Sequence, residues 1–285
     1  MMTLSVLISV YYKEQPNYLD ECFKSLYEQT QPADEIVCVK DGTLTSELDS
    51  VLLKWEKLLP LKIVGYEENK GLAHALNFGL SYCSGEWIAR MDTDDISLKD
   101  RFEKQLDFIV ANPGTMVLGS AIEERFYRMN QCYHKNIRFY EDNIDKTSEL
   151  LYRGTPIGHP TALINKKLLQ RYLYSETVGA NEDIELWFRI LHDGYKIRNL
   201  SFPLYVQRID DGMFKRRSSV KAFKEFRIYV KNLYALNGFS FKLIYPCLRL
   251  IVRFLPKKCV ELIYMSNLRK YVLPYSGISF YQVIK

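Results

Sequence analysis

Short apolar runs alternate with helix-like segments along the first 115 residues. Four runs are short enough to be buried strands: Leu4–Val10, Ile36–Val39, Leu61–Val64 and Trp87–Met91. Apolar residues recur at helical spacing in four further segments: Leu19–Leu26, Ser46–Leu59, Ala73–Leu80 and Leu98–Ala111. This alternation predicts a Rossmann-like α/β fold, with a mainly parallel sheet covered by helices on both faces. Ligands of such sheets bind at the carboxyl ends of the strands.

The pattern is less regular after residue 115. Strands are predicted at Val117–Phe126, Tyr195–Leu200 and Leu204–Gln207, and Thr161–Ile164 forms a short element. Helices are predicted at Glu182–His192, where Gly194 follows as a stop signal, and at Val220–Leu236.

Composition narrows the class of protein. The chain has 285 residues, of which 47% are apolar and 26% charged, so a largely disordered chain is excluded. Six cysteines without a CxxC pair argue against a zinc site or a disulfide scaffold. We expect neither a signal peptide at residues 1–10 nor a membrane-spanning segment, since no apolar run approaches roughly 18 residues.

Charge is unevenly distributed between the two parts of the chain. Residues 213–285 carry a net charge of +13, against −8 for residues 1–212. A basic tail of this kind suits nucleic acid or an anionic membrane surface. The apolar segment Phe241–Pro256, with Arg249 and Arg253 four residues apart, favours a helix lying in a membrane interface. The alternative is a helix packed on the body with its arginines in water.

Acidic residues follow two of the predicted strands. Asp92, Asp94 and Asp95 come directly after the fourth strand, where their mutual repulsion calls for a positive partner. Mg²⁺ or Mn²⁺ is the natural partner, although Asp95 as the N-cap of the next helix is an alternative. Asp41 precedes Gly42 at the end of the second strand, where it is either a turn residue or a ligand of a base or ribose.

Five other residues are candidates for chemistry. Glu182 and Asp183 begin a helix, where they either complement its dipole or provide a general base. His159 is either structural or a substrate contact. The basic residues Arg216 and Arg217 are either solvated or bind a diphosphate.

Taken together, five segments resemble the inverting family 2 glycosyltransferases with the GT-A fold. The matching segments are Leu7–Tyr11, Tyr18–Thr30, Asn69–Asn77, Gly85–Asp95 and Asn181–Arg189. The resemblance covers residues 4 to about 212, and Lys40 departs from it by standing where many members carry an aspartate. The basic tail and the stretch from Leu204 to Arg217 are similar to members that build bacterial O-antigens and capsules.

The resemblance implies a role for each candidate residue. Tyr11, Asp41 and Asp92 would contact the nucleotide of a UDP-sugar donor, and Asp94 would bind Mg²⁺ or Mn²⁺. Asp183 would be the general base, with Glu182 beside it.

It also implies partners, a location and a division of the chain. The acceptor would be a lipid-diphosphate-linked saccharide at the cytoplasmic face of the inner membrane, and no nucleic acid would bind. Residues 1–115 would bind the nucleotide-sugar, residues 116–212 would bind the acceptor and hold the catalytic base, and residues 213–285 would form a membrane-associated helical tail.

Three other classes compete with this interpretation. A nucleotidyltransferase usually carries a Gly-rich basic loop after the first strand, whereas Tyr11–Gln15 contains no glycine. A glycoside hydrolase needs two carboxylates and no nucleotide site, which the Rossmann-like half argues against. A non-enzymatic membrane-surface protein on a degenerate transferase body would have no reason to keep Asp92, Asp94 and Asp183.

Overall fold

Four parallel strands form one side of the sheet in the computed structural model. The structure describes residues 2–128, 131–149, 151–179, 181–209, 219–256, 258–259, 262 and 281–283. Its first elements are β1 Leu4–Val10, α1 Pro16–Tyr27, β2 Glu35–Asp41, α2 Ser46–Glu56, β3 Leu61–Tyr66, α3 Leu72–Leu80, β4 Trp87–Arg90, β5 Ile96–Ser97 and α4 Arg101–Ala111. The parallel strands lie in the order β3-β2-β1-β4, which confirms the predicted α/β alternation.

The second half extends this sheet with mostly antiparallel pairings. Its elements are β6 Val117–Arg128, β7 Gln131–Arg138, α5 Ile144–Glu149, β8 Leu163–Asn165, α6 Lys166–Tyr172, α7 Glu182–His192, β9 Ile197–Ile209, α8 Ser219–Asn237, α9 Ile244–Arg253 and β10 Tyr281–Val283. Strand β8 joins β4 to β6, both in antiparallel register. Strand β9 runs parallel to β6 and also pairs antiparallel with β5 behind the end of β4.

Several predicted boundaries differ from those of the structure. The two strands predicted between residues 195 and 207 are the single strand β9, which bends where Pro203 lies opposite Ala121 and the register shifts. Proline lacks an N–H for the ladder, so it interrupts the pairing without ending the strand. Helix α4 starts at Arg101, three residues later than predicted, and Thr161 belongs to a 3₁₀ turn that precedes β8.

Apolar side chains form a core on each face of the sheet. Helices α1, α2 and α4 cover one face with residues such as Phe23, Trp55 and Phe102. Helices α3, α6, α7 and α8 cover the other face, where Trp187 and Tyr229 are fully buried. The loops at the carboxyl ends of β1, β2 and β4 lie between these two layers.

The tail helices α8 and α9 both pack on the body. Tyr229 of α8 contacts Phe188 of α7, with ring centroids 5.3 Å apart. Arg249 of α9 is buried, forms an ion pair with Glu225 of α8 at 3.4 Å and lies over the Tyr229 ring at 4.6 Å. The sequence predicted that Arg249 would lie either in a membrane interface or in water. Both predictions were wrong, because Arg249 is buried and its charge balances that of the buried Glu225 carboxylate. None of the helices that the structure describes combines the length and the hydrophobicity that spanning a lipid bilayer requires.

Candidate active site

A cleft of about 410 Å³ opens at the carboxyl ends of the parallel strands. Four residues predicted from the sequence line it: Tyr11 after β1, Asp41 at the end of β2, and Asp92 and Asp94 after β4. Because these strands are parallel neighbours, their ends meet at one edge of the sheet. The fold thus brings together the residues predicted to bind the nucleotide and the metal.

Asp41 is held rigidly by the turn that precedes α3. Its carboxylate accepts hydrogen bonds from the Tyr66 hydroxyl at 2.9 Å, the Asn69 side chain at 2.9 Å and the Lys70 backbone N–H at 2.7 Å. The Gly71 N–H donates to it as well, at 3.1 Å. A carboxylate offers about four acceptor positions, so these donors fix the group in one orientation. Asp41 therefore defines one wall of the cleft and the start of α3.

Three carboxylates form a cluster on the opposite side of the cleft. The ligand oxygens of Asp92, Asp94 and Asp95 lie within 4.8 Å of one another. Burial raises the pKa of Asp95 well above its usual value, and the charges of Asp94 and Asp92 raise it further. A hard divalent cation takes several carboxylate oxygens and would relieve this repulsion. The donor set therefore fits Mg²⁺ or Mn²⁺.

Asp95 contributes to this cluster instead of capping a helix. It accepts a hydrogen bond from the backbone N–H of Arg208 in β9 at 2.8 Å. Helix α4 begins six residues later, with Asp100 at its N-cap position. The N-cap alternative for Asp95 was therefore wrong.

A buried guanidinium lies behind the cluster. Arg90, at the end of β4, is 3% exposed and forms an ion pair with Asp92 at 2.6 Å. Its positive charge also acts on Glu182 and Asp183, whose pKa values it lowers against the effect of burial. Arg90 thus connects the carboxylate cluster electrostatically with the start of α7.

Glu182 and Asp183 occupy the first turn of α7, as predicted. Burial raises the pKa of Glu182 to about 7, and the neighbouring charge of Asp183 adds to this effect. Burial also raises the pKa of Asp183, which is half-buried. Neither side chain is among the described residues that line the cleft, so this pair lies beside the cleft instead of in its wall.

The remaining predicted contacts lie elsewhere. His159 is buried, and its Nε2 lies 2.9 Å from the Tyr174 hydroxyl. Burial, together with the charge of Arg90, lowers the pKa of His159 well below its usual value, so the ring is neutral. This geometry favours the structural alternative for His159. Arg216 and Arg217 lie outside the described residues.

Several residues of the site had no distinct signal in the sequence. Glu14 accepts a hydrogen bond from Thr93 at 2.9 Å, and both line the cleft together with Asn69 and Arg208. Asn69 begins one of the five segments that resemble family 2 glycosyltransferases, so the sequence marked it as a candidate. Its hydrogen bond to Asp41 appears only in the structure. In the sequence, Arg90 is an ordinary residue of a predicted strand. Its burial and its ion pair with Asp92 appear only in the structure.

Comparisons with known proteins agree with this architecture. The family model described as glycosyl transferase family 2 matches residues 5–173. The amylovoran biosynthesis glycosyltransferase AmsE of Erwinia amylovora is 35% identical over 271 residues, covering 92% of this chain and 98% of the relative. The UDP-Gal:α-D-GlcNAc-diphosphoundecaprenol β-1,3-galactosyltransferase of Escherichia coli is 33% identical over 279 residues, covering 94% and 97%.

A solved structure shows the same fold. The mannosyltransferase PcManGT of Pyrobaculum calidifontis, in complex with GDP-Man and Mn²⁺, superposes with a TM-score of 0.58 at 20% identity. The match covers 97% of this chain and 73% of that protein. The curled α/β sheet with its acidic cleft is therefore the GT-A fold of a glycosyltransferase. Within that class, the chain belongs to glycosyltransferase family 2.

Proposed function

We propose that the protein is an inverting glycosyltransferase that transfers a sugar from a UDP-sugar to a lipid-diphosphate-linked saccharide. The product would belong to the synthesis of a surface polysaccharide such as an O-antigen or capsule. The observation that carries this proposal is the grouping of Asp41, Asp92, Asp94 and Asp95 in one cleft at the strand ends. The donor and acceptor classes are supported by the Escherichia coli relative, whose name specifies UDP-Gal and a diphosphoundecaprenol-linked sugar.

The nucleotide would lie between the two acidic walls of the cleft. Tyr11 borders the nucleobase, Asp41 and its turn contact the base or ribose, and Asp92 contacts the ribose. The rigid hydrogen bonding of Asp41 supports this assignment, because a preorganised wall lowers the entropy cost of binding.

The donor diphosphate would lie at the carboxylate cluster. Asp94 would hold Mg²⁺ or Mn²⁺, which when bound supplies positive charge for the departing nucleoside diphosphate. This choice of metal is supported by the cluster's oxygen ligands and by the Mn²⁺ in the Pyrobaculum calidifontis complex. Arg216 and Arg217 are proposed as additional diphosphate contacts.

Asp183 would act as the general base. It accepts the proton of the acceptor hydroxyl while the oxygen attacks the anomeric carbon and the bond to the diphosphate breaks, which inverts the configuration. Its raised pKa brings it closer to the working pH, where a base is most effective. Glu182, with a pKa of about 7, holds a proton part of the time and so limits the negative charge beside Asp183.

The binding test is calorimetry with UDP in Mn²⁺ and in chelator, using the wild type and Asp94→Ala. We expect binding that depends on Mn²⁺ and is lost in Asp94→Ala. Equal affinity of the two proteins in Mn²⁺ would contradict the metal role. The absence of UDP binding under all conditions would contradict the proposed donor.

The catalytic test compares Asp183, in the first turn of α7, with Asp193, which follows the last residue of that helix. Asp183→Asn is expected to reduce transfer by about 100-fold or more, because a general base contributes this much, while UDP binding is kept. Asp193→Asn is the matched control at the far end of the helix, where Asp193 accepts a hydrogen bond from the Tyr172 hydroxyl at 2.6 Å. Transfer is measured as UDP release with a lipid-diphosphate-linked acceptor. An unchanged rate in Asp183→Asn would exclude it as the base.

The membrane contact would be an apolar stripe on the tail. The stripe consists of exposed side chains at helical spacing: Phe241, Ile244, Leu248, Ile251 and Phe254. It belongs to a region with a net charge of +13, so an anionic lipid surface complements both its apolar and its basic character. Such a contact would keep the enzyme at the cytoplasmic face of the inner membrane, where its lipid-linked acceptor would lie.

Flotation with anionic liposomes tests this contact. Ile244→Glu with Ile251→Glu is expected to keep the protein out of the liposome fraction, because charged side chains resist insertion. Leu53→Glu with Val110→Glu is the control, since these residues are also exposed and apolar but lie on α2 and α4. Equal flotation of the two double variants would exclude the stripe.

A further inference from the structure

We propose that the polar flank of α3, formed by His74 and Asn77, positions the loop that leads to the catalytic base. This inference rests on the proposed function, because it assigns Asp183 as the base. The loop comprises the described residues 173–179, between α6 and α7. His74 and Asn77 are proposed as positioning residues, which act on the reaction through this loop.

Asn77 binds the loop backbone from both directions. Its Nδ2 donates to the Tyr174 carbonyl at 2.8 Å, and its Oδ1 accepts from the Tyr174 N–H, also at 2.8 Å. The amide thus satisfies both backbone groups of Tyr174, as a neighbouring strand would. The same Nδ2 also donates to Glu176 Oε1 at 3.2 Å.

His74 adds a second attachment one turn earlier on α3. Its Nδ1 lies 3.0 Å from Glu176 Oε2, so the Glu176 carboxylate joins both residues of the flank. The hydrogen bonds from His74 and Asn77 lower the pKa of Glu176, which keeps this acceptor ionised. The loop is therefore fixed at two positions two residues apart.

Helix α3 is itself fixed to the nucleotide side of the cleft. Its N-cap residue Gly71 donates to Asp41, and Tyr66, which also donates to Asp41, packs against the His74 ring at 5.1 Å. Near its other end, a side chain at Gly79 would lie 2.5 Å from Leu7 and Val39, so the helix rests directly on β1 and β2. One rigid helix thus connects the Asp41 wall with the loop.

The other side of the loop faces α7. Tyr174 is buried and its hydroxyl bonds to His159, whose ring lies 6.1 Å from that of Trp187. Trp187 lies one helical turn after Asp183. Because Tyr174 is held between α3 and this cluster, its position affects where α7 begins relative to the donor cleft. A displacement of about 1 Å at a catalytic group costs about 100-fold in rate.

The test separates positioning from simple stabilisation. Asn77→Ala is expected to lower kcat by about tenfold or more, while the Kd for UDP in Mn²⁺ stays within about twofold. Asn199→Ala is the matched control, because buried Asn199 also makes two hydrogen bonds to the backbone, in its case to the carbonyls of Glu141 and Pro156 at 2.9 and 3.0 Å. The control is expected to lose thermal stability while its kcat below the melting temperature stays at the wild-type value.

A second variant keeps the test decisive if Asn77→Ala does not fold. Glu176→Ala changes an exposed side chain and is expected to lower kcat about threefold with an unchanged Kd for UDP. Wild-type kcat in the folded variants would overturn the inference, and so would equal losses of kcat in Asn77→Ala and Asn199→Ala. Failure of the wild type itself to transfer sugar would instead overturn the proposed function.

Discussion

Glu182 is a carboxyl group that the fold makes harder to ionise. It is 6% exposed, and burial, followed by the neighbouring charge of Asp183, raises its pKa from 4.5 to about 7. Glu182→Gln preserves the shape of the side chain and removes its titration. This variant therefore isolates the free energy that the buried carboxyl group contributes.

The pH dependence follows from the direction of the shift. Since the folded pKa lies above the unfolded one, the contribution of Glu182 to stability is complete below pH 4.5 and is lost as the pH rises through 7. One pKa unit corresponds to about 1.4 kcal/mol, so the wild type loses roughly 2 to 3 kcal/mol from this group between pH 5 and pH 8. We expect Glu182→Gln to be nearly as stable as the wild type at pH 5 and more stable by roughly 2 kcal/mol at pH 8.

Urea unfolding followed by tryptophan fluorescence at both pH values measures this difference. Glu56→Gln, at an exposed position of α2, is the control and is expected to follow the wild type. If Glu182→Gln and the wild type lose the same stability between pH 5 and pH 8, the raised pKa is refuted. Transfer activity should persist in Glu182→Gln, because the proposed base Asp183 is retained.

Three further changes test the packing around the site and the tail. Asp41→Asn is expected to lower the free energy of unfolding by about 2 kcal/mol and to weaken UDP binding, because it disrupts charge-assisted hydrogen bonds to the turn before α3. Urea titration measures the stability, and calorimetry measures the UDP binding. Gly42→Ala should destabilise by about 1 to 3 kcal/mol in urea titration, because its φ is +88° and a Cβ would lie 2.8 Å from the Asn69 backbone nitrogen. Arg249→Met should lower the melting temperature by leaving Glu225 without its ion-pair partner, and Glu225→Met in the same protein should restore part of it. A wild-type result in any of these experiments would contradict the corresponding contact.

The elements that could be predicted are those whose signals lie within their own segment of the sequence. The first four strands and the helix Glu182–His192 were predicted because periodicity and stop signals lie within each segment. The grouping of Asp41 with Asp92 also followed, since the ends of parallel strands meet at one edge. The proposed residue roles came from the family resemblance and stay predictions.

The parts that could not be predicted depend on distant pairing. Strand β7 was missed because its residues alternate weakly, and its place is set by pairing with β6. The environment of Arg249 depends on Glu225, 24 residues away, which periodicity within α9 cannot reveal. Likewise, the attachment of Asn77 to Tyr174 spans 97 residues and leaves no local signal.

Strand β9 has a consequence for the order in which the site forms during synthesis. The backbone N–H of Asp92 donates to the Tyr205 hydroxyl, and Asp95 accepts from the Arg208 N–H, each across 113 residues. A nascent chain that has emerged only as far as residue 173 carries every acidic residue of the cleft but lacks β9, the strand that bonds Asp92 and Asp95. The carboxylate cluster therefore matures late in translation, after β9 has left the ribosome and paired with β5 and β6.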